Sequence, residues 1–309
     1  MIGGITSNLY GSRYFKRGTG DCVIYNLLKD SRLSGDALYA LTVSFILDDN
    51  NSYEAVDEQG ASIYRDTFKE VYLAYVNEMA ESTEVDVEEY QIPFIEIDED
   101  DSLSPSDSQN HQMEFDLMSI SGAMMAGRHF DCNKSEIDVA IEAQRIVEGI
   151  THKKEYINYG INMAFLYSVL LNMPKEKDKK TAMQNKKMVI ESFMDNLFDD
   201  PKDYAFIHFT GVEPNNLKMA VNAVFASILE AKDFEDAMKK ASSCHYYAAF
   251  LSFTVGALAE LVFSVNKDLS DNAYTSLEGS QTIYDALSEY QKNNPPFIGK
   301  KRNIIKRTF

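Results

Sequence analysis

The chain has 309 residues, of which 45% are hydrophobic and 25% are charged, and its formal net charge is −18. This composition is typical of a globular protein with a full core, and the acidity excludes a general nucleic-acid binder, which needs clustered lysine and arginine. With 7 prolines and 15 glycines, the chain is poor in the turn residues that a β-sandwich requires.

Helical periodicity begins near residue 34 and dominates the chain. In "SGDALYALTVSFILDD", Ser34 is the predicted N-cap, and Asp36 places a negative charge in the first turn. The stretch "EAVDEQGASIYRDTFKEVYLAYVNEMAES" predicts one or two helices. Their apolar stripe comprises Phe68, Val71, Tyr72 and Tyr75.

Residues 82–112 break the helical pattern. From Glu70 to Gly127 the chain has no lysine or arginine and carries 15 Asp and Glu. We predict an acidic, partly mobile loop over 82–112, with a short strand at Gln91–Ile97. An acidic run is ordinarily a solvated loop. The sharper interpretation is a docking site for a basic protein partner.

Helices resume beyond the acidic segment. "SEIDVAIEAQRIVEGITHK" predicts a helix capped by Ser135. "KEYINYGINMAFLYSVLLNM" is apolar on most faces and predicts a central helix, and "NNLKMAVNAVFASILEA" predicts a buried helix capped by Asn216. The predicted core stripe of the first of these helices comprises Ile137, Ala140, Ile141, Gln144 and Val147.

The last third contains "DFEDAMKKASSCHYYAAFLSFTVGALAEL", which reads as two helices and a junction. The first helix is amphipathic, and the second is almost wholly apolar. Because no change of composition requires a second domain, we predict one all-α domain of about ten helices over residues 1–297. Residues 298–309 are basic and predict a solvated C-terminal tail.

Cellular location follows from the cysteines and the apolar runs. Cys22, Cys132 and Cys244 lack the spacing of a metal site, which predicts free thiols in the reducing cytoplasm. The N-terminus lacks the charged and apolar regions of a signal peptide. No run of 18 apolar residues occurs, so we expect no membrane span.

Common catalytic motifs are missing from the sequence. It contains no phosphate-loop glycine pattern, no dinucleotide fingerprint and no His-Glu-x-x-His. Its five histidines are scattered, and a lone histidine at a helix junction is ordinarily a structural residue. Any functional site must therefore be sought in other patterns.

Two short motifs stand near the start of the chain. In "MIGGITSNLYGSRY", two residues separate Ser7-Asn8 from Gly11-Ser12-Arg13-Tyr14. In "LSGDALYALTVSFIL", the helix starts at Ser34-Gly35-Asp36-Ala37. Both motifs put small and polar residues beside an apolar helix.

Three further motifs follow in order. "ISGAMMAGRHF" contains Ala123-Met124-Met125, and "IEAQRIVEGITHKKEY" contains Thr151-His152 followed by Glu155. The helical stretch "AVFASILEAKDFEDAMKKA" then precedes the junction His245–Phe250.

In order and spacing, these five segments resemble the ADP-ribosylglycohydrolase family, which includes the dinitrogenase reductase-activating glycohydrolase. The resemblance implies a compact, multi-helix, all-α orthogonal bundle. It also implies a family site in which acids from both ends of the chain hold two Mg²⁺ or Mn²⁺ ions. In the family the motifs read Gly-Asp with Gly-Ser-Arg-Tyr-Glu, Thr-Asp-Asp-Thr, Asn-Gly-Ser-Ala-Met-Arg, Thr-His-x-His-Pro-Glu and Gly-Gly-Asp-x-Asp-Thr.

The chain departs from the family pattern at the N-terminal acids. Ser7-Asn8 replaces Gly-Asp, and Phe15 replaces the acid after Gly-Ser-Arg-Tyr. Gly35 stands at the first Asp of the second motif, which leaves Asp36 as the matched acid.

Similar departures occur in the later motifs. Met125 takes the Arg position, and Lys153-Lys154 replaces His-Pro. His245-Tyr246-Tyr247-Ala248-Ala249-Phe250 takes the place of the last motif, so both of its acids and its Thr are absent. Hard divalent cations need several oxygen ligands. We therefore expect no metal cofactor and loss of the family reaction.

The resemblance then implies a pseudoenzyme that acts by binding a protein partner or an ADP-ribose-like or nucleotide-like ligand. One alternative is an active hydrolase with a rebuilt, metal-poor site, in which Asp36, Glu155 or His152 serves as acid or base. Another alternative is a structural scaffold, since fold alone does not determine function.

The predicted ligand-binding residues are those at the matched motif positions. Asp36 has an ordinary interpretation as a helix-dipole partner, and His152 and Glu155 as surface residues. The junction aromatics would fill the cleft or stack on a base. The predicted set comprises Ser34, Asp36, Ser121, Gly122, Met124, His152, Glu155, His245, Tyr246, Tyr247 and Phe250.

Overall fold

A computed structural model of the chain describes residues 1–11, 33–49, 60–83, 105–129, 136–198, 216–243, 247–275 and 283. The described part confirms the prediction of an all-α protein. Its helices are α1 Ile2–Gly11, α2 Gly35–Asp49, α3 Gly60–Thr83, α4 Pro105–His129, α5 Glu136–Glu148, α6 Lys154–Asn172, α7 Lys179–Leu197, α8 Leu217–Leu229, α9 Phe234–Ser242, α10 Ala248–Phe263 and α11 Lys267–Thr275.

Side-chain caps fix the start of several helices. The Asn216 side chain accepts a hydrogen bond from the Met219 backbone N–H at 3.0 Å, which confirms the predicted cap of α8. Asp178 and Asp233 cap α7 and α9 in the same way. Each cap satisfies a backbone donor that has no partner inside its own helix.

Two helices organise the packing. The long helix α4 packs against α2, α5 and α6, whereas α10 packs against α1, α8 and α9. Because α10 also contacts α2 and α4, the two groups share one core. Aromatic residues fill much of it. Tyr39 and Phe68 meet edge to face with ring centres 5.0 Å apart, and both are fully buried.

The α1–α10 contact is made by small residues. Gly3, Ser7 and Gly11 recur every four residues along α1 and meet Gly256 and Ser252 of α10. A Cβ placed on Gly256 would lie 2.4 Å from both the Gly3 carbonyl oxygen and the Ser7 Cβ. The two backbones therefore approach more closely than any larger side chain would permit.

A buried ion pair joins the start of α1 to α10. The Met1 ammonium lies 2.7 Å from the Glu260 carboxylate and also donates to the Tyr167 hydroxyl at 3.0 Å. The Gly3 N–H donates to the same carboxylate at 2.9 Å. Glu260 is thus a buried acid whose charge is matched by several donors.

The acidic loop predicted over 82–112 is too long. Helix α3 runs to Thr83, and α4 begins at Pro105, so residues 105–112 are helical. Proline suits the first turn of a helix because its missing N–H would have no partner there. The predicted strand at Gln91–Ile97, the Ser135 cap and the tail over 298–309 lie outside the described residues.

The predicted core face of α5 is wrong in part: Val147 is buried as predicted, but the two isoleucines are not. Ile137 and Ile141 are 68% and 45% exposed, because the helix turns a different face inward. That face includes Glu142, which accepts hydrogen bonds from the Tyr64 hydroxyl and from Arg145. The buried residues of α5 are Val139, Glu142, Ala143, Ile146 and Val147.

None of the described helices combines the length and apolar character needed to cross a membrane.

Candidate functional site

Asn8 joins three distant segments at the start of α2 and α10. Its amide N–H₂ donates to the Ser34 hydroxyl at 2.8 Å and to the Ala249 carbonyl at 3.2 Å. Its amide oxygen accepts from the Ser34 backbone N–H at 2.8 Å. Asn8 is fully buried. Both amide hydrogens and the oxygen are therefore used by the protein itself.

Ser34 lies directly before α2, as its predicted cap position requires. Its hydroxyl is 3.5 Å from the Ala37 N–H, which is a long capping contact. Ser34 is partly buried, and its stronger bonds are those to Asn8. The start of α2 is thus held mainly by α1.

Asp36 is the centre of a second polar cluster. Its carboxyl oxygen accepts from the Ser121 hydroxyl of α4 at 3.0 Å, and that hydroxyl lies 3.3 Å from the Thr254 hydroxyl of α10. All three side chains are buried. The sequence pattern did not single out Thr254, because one polar residue in an apolar helix gives no signal of its partner.

Burial changes the acidity of this carboxyl group. Loss of solvation raises the pKa of Asp36 to about 7, against a smaller opposite effect of the Ser121 hydrogen bond. The charge of Glu114 raises it further. Near neutral pH the Asp36 side chain therefore divides between its neutral and ionised forms.

Tyr247 begins α10 in a left-handed conformation, with φ 59° and ψ 26°. Non-glycine residues seldom adopt it, because the Cβ crowds the backbone. Tyr247 is 4% exposed and Phe250 is 2% exposed. Both aromatic side chains are thus packed inside the protein. Cys244, His245 and Tyr246 lie outside the described residues.

An ion pair between a buried acid and a partly exposed lysine lies at the start of α6. The fully buried Asp116 carboxylate accepts from the Lys153 ammonium at 2.6 Å and from the Gln112 amide at 3.0 Å. Lys153 is 56% exposed, and its Nζ lies 5.7 Å from the centre of the Tyr156 ring. We call Asp116, Lys153 and Tyr156 the rim cluster.

The rim cluster also has a perturbed phenol. Burial raises the pKa of Tyr156, and the nearby Asp116 charge raises it further. Tyr247 and Glu155 contribute to the same shift, which places Tyr156 close to the start of α10. The sequence motifs missed Asp116. Its signal was a single acid within the apolar stretch "FDLMSIS" of α4.

Other predicted residues are separated from Asp36. His152 and Glu155 are exposed at the start of α6, and within the described residues neither forms a hydrogen bond or ion pair with Asp36. Met124 is fully buried in α4. Gly122 packs against Tyr39, whose ring would lie 2.4 Å from an added Cβ. Gly122 therefore permits helix contact.

The arrangement has more neutral polar groups than charges. In the part of the chain that the structure describes, no three His, Cys, Asp or Glu residues lie close enough together to hold a metal ion. The site instead offers an amide, hydroxyls, one carboxyl group of raised pKa and a salt-bridged lysine. These groups are suited to hydrogen bonding and to proton transfer.

Comparison with known proteins adds no assignment. No protein-family model matches the chain, and a search of curated proteins returns no significant match.

Proposed function

We propose that this chain is a divergent ADP-ribosylglycohydrolase-like protein that acts by binding rather than by metal-dependent hydrolysis. The proposal rests on the resemblance of the five sequence segments and on the chemistry of the residues that now occupy them. Its ligand would be a protein partner or an ADP-ribose-like or nucleotide-like molecule.

The observation that carries the proposal is the hydrogen bonding of Asn8. Asn8 stands at the Asp position of the first motif, Ser34 belongs to the second and Ala249 to the last. Three segments singled out by sequence therefore meet through one side chain. A metal site would need an ionised acid at this position. The neutral Asn8 amide instead forms hydrogen bonds with Ser34 and Ala249 and provides no negative charge for a cation.

Asp36 supports the same proposal. Metal ligation requires the ionised carboxylate. Here burial raises the pKa of Asp36 to about 7, and Ser121 occupies one of its oxygens. The matched positions Tyr247 and Phe250 of the last motif are buried aromatic side chains rather than acids. These features favour a closed, neutral cluster over an open ion site.

A partner surface is the second part of the proposal. The acidic segment between α3 and α4 spans residues 84–104, which lie outside the described residues, and carries nine of the chain's acids with no lysine or arginine. Such a charge density attracts basic proteins in a salt-dependent manner. We therefore propose a basic protein as the partner.

Calorimetry with ADP-ribose, with and without Mg²⁺, tests the proposal directly. We expect either binding that Mg²⁺ does not strengthen or no small-ligand binding at all. An ADP-ribosylated protein should be left intact by the chain in the presence of Mg²⁺ or Mn²⁺. Metal-dependent release of ADP-ribose would overturn the proposal.

The partner is tested by affinity capture from cell extract at two salt concentrations. The informative variant replaces the acids of 84–104 by their amides, because this keeps α3, α4 and the segment length unchanged. Loss of a basic partner in that variant is the expected result. Equal recovery by both forms would contradict docking through the acidic segment.

A second candidate function is favoured by one observation. A carboxyl group whose pKa is about 7 is well placed for general acid–base catalysis at neutral pH. Metal-free hydrolysis of an ADP-ribosyl bond, abolished by Asp36→Asn and retained in Glu155→Gln, would establish this candidate in place of the binding function.

A further inference from the structure

A cavity lies at the junction of α6 and α7. It has a volume of about 390 Å³. Lys186 of α7 lines it and donates a hydrogen bond to the Leu261 carbonyl in the last turn of α10. Leu261 is about 20 Å along α10 from Tyr247, at the rise of an α-helix. We call this cavity the α7 groove. Its apolar lining comprises Met173, Pro174, Ala182, Met188 and Val189.

The walls of the α7 groove are suited to an alkyl chain. Met188 is 64% exposed, although large apolar side chains are usually covered. Methionine is flexible and polarisable, and it is used at surfaces that accept varied apolar ligands. Two methionines and a proline on one groove therefore favour an apolar ligand group over a sugar or a nucleotide.

Lys186 supplies the polar end of the groove. It is half-buried, and loss of solvation lowers its pKa. Among the described residues its hydrogen-bond acceptor is the single carbonyl of Leu261, and no acid lies within ion-pair distance. An ammonium group has three N–H donors. An anion beside Lys186 would accept its remaining N–H donors and would offset the free-energy cost of the lost solvation.

The neighbouring Lys187 provides a contrast. It donates to the Leu229 and Ala231 carbonyls at 2.7 and 2.8 Å, and its Nζ lies 5.3 Å from the centre of the Phe263 ring. Lys187 therefore caps the C-terminal end of α8 and does not line the groove. Of the two adjacent lysines, Lys186 is the one with unused donors beside the cavity.

Local charge favours an anion as well. Residues 175–187 contain six lysines and two acids, in a chain whose formal net charge is −18. Glu176 lines the groove but is exposed, so water and salt screen its charge. This short stretch is therefore positive on a protein whose net charge is negative.

We infer that the α7 groove binds a free medium-chain carboxylate, with the alkyl chain along the methionine-lined wall and the carboxylate on Lys186. The site is separate from the Asn8 and Asp36 clusters, and it does not depend on the proposed function. A neutral alcohol of equal length would lack the ionic contact.

Calorimetric titration with sodium decanoate, below its micelle concentration, tests this inference on the full chain. We expect saturable binding that weakens roughly tenfold in Lys186→Met, because a charge-assisted hydrogen bond is lost. Lys180→Met is the matched control, since Lys180 is exposed on the same helix and does not line the groove. It should bind decanoate as the unmodified chain does.

Two further variants separate binding from folding. Lys186→Arg should restore decanoate binding, and Met188→Glu should weaken it without unfolding, because Met188 is mostly exposed. Equal decanoate affinity in Lys186→Met and Lys180→Met would overturn the inference. So would equal affinity for 1-decanol, no binding of decanoate at millimolar concentration, or binding to phosphatidylglycerol vesicles alone.

Discussion

The two ends of α10 are stabilised by different kinds of hydrogen bond. At its start, polar side chains from α1, α2 and α4 bond to one another around Asn8 and Asp36. At its end, a lysine from α7 reaches a backbone carbonyl. Both ends carry a non-glycine residue with positive φ, namely Tyr247 at 59° and Ser264 at 66°.

The two strained residues differ in their surroundings. Tyr247 is buried, whereas Ser264 is partly exposed and its N–H donates to the Glu260 carbonyl at 3.1 Å. Backbone strain persists where other contacts outweigh it, and such places are often functional. The packing around Tyr247 provides that compensation, and the polar clusters beside it form the candidate site. Ser264 has much less packing to offset its strain.

The largest effect is expected from Asn8→Ala. Removing the amide leaves the part-buried Ser34 N–H without its acceptor and takes a side-chain donor from the Ala249 carbonyl in the first turn of α10, at a cost of about 3 kcal/mol in the free energy of unfolding. Asn222→Ala is the matched control, because Asn222 is equally buried and its amide oxygen has no partner among the described residues. Chemical denaturation of both variants measures the difference. Equal losses would mean that Asn8 is not a special junction.

Asp36→Asn should change the pH dependence of stability. The folded pKa of about 7 exceeds the unfolded value of 3.8, so the folded chain keeps a proton that the unfolded chain releases. The contribution of Asp36 is therefore complete below pH 4 and is lost as pH rises to 7. The asparagine variant does not titrate. Relative to the unmodified chain, it should gain roughly 2–3 kcal/mol between pH 5 and pH 8.

Urea denaturation at several pH values measures this gain. A difference between the two proteins that is independent of pH would show that Asp36 is not buried as described. Glu155→Gln serves as the control, since Glu155 is exposed and should leave the pH profile unchanged.

Tyr247→Gly should relieve backbone strain at the start of α10 but remove the packing of a buried ring. Glycine would relieve about 1 kcal/mol of left-handed strain. Loss of the buried ring would cost about 3 kcal/mol or more, so packing should win by about 2 kcal/mol. Thermal unfolding followed by circular dichroism measures the outcome. A variant more stable than the unmodified chain would contradict the buried position of the ring.

Ser264→Gly should have the smallest effect and the opposite sign. Its φ of 66° and ψ of 145° belong to a region that glycine adopts readily. Because little packing is lost with the serine side chain, the variant should be about 1 kcal/mol more stable. The same denaturation measurement checks it. A destabilised variant would show that the serine hydroxyl has a role that offsets its strain.

Helices and caps were predictable because their signals are local. The Asn216 cap and the burial of Phe68 and Tyr72 follow from neighbouring residues in sequence. The face of α5 was only partly predicted because burial of Glu142 depends on Tyr64, which is 78 residues away. The start of α4 at Pro105 had a local signal, a proline followed two residues later by Asp107, which the acidic composition obscured.

The candidate site was predictable only in part. The motifs predict Ser34, Asp36 and Tyr247 as residues of one site. They also show that Asn8 stands at a position where the family has an acid. They did not predict that Asp116 would be fully buried and neutralised by Lys153, because an ion pair between separate helices leaves no pattern in sequence. Thr254 was missed for the same reason.

The small-residue contact between α1 and α10 has a consequence for how the chain opens. Gly3 and Ser7 contact Gly256 directly, so no flexible side chains lie between the two helices. Water therefore cannot enter between them through side-chain movement alone. Amide protons along this line can then exchange with solvent only when the helices separate, which dismantles the core they share with α4. The first helix of the chain, although only ten residues long, would belong to the slowest-exchanging unit of the molecule.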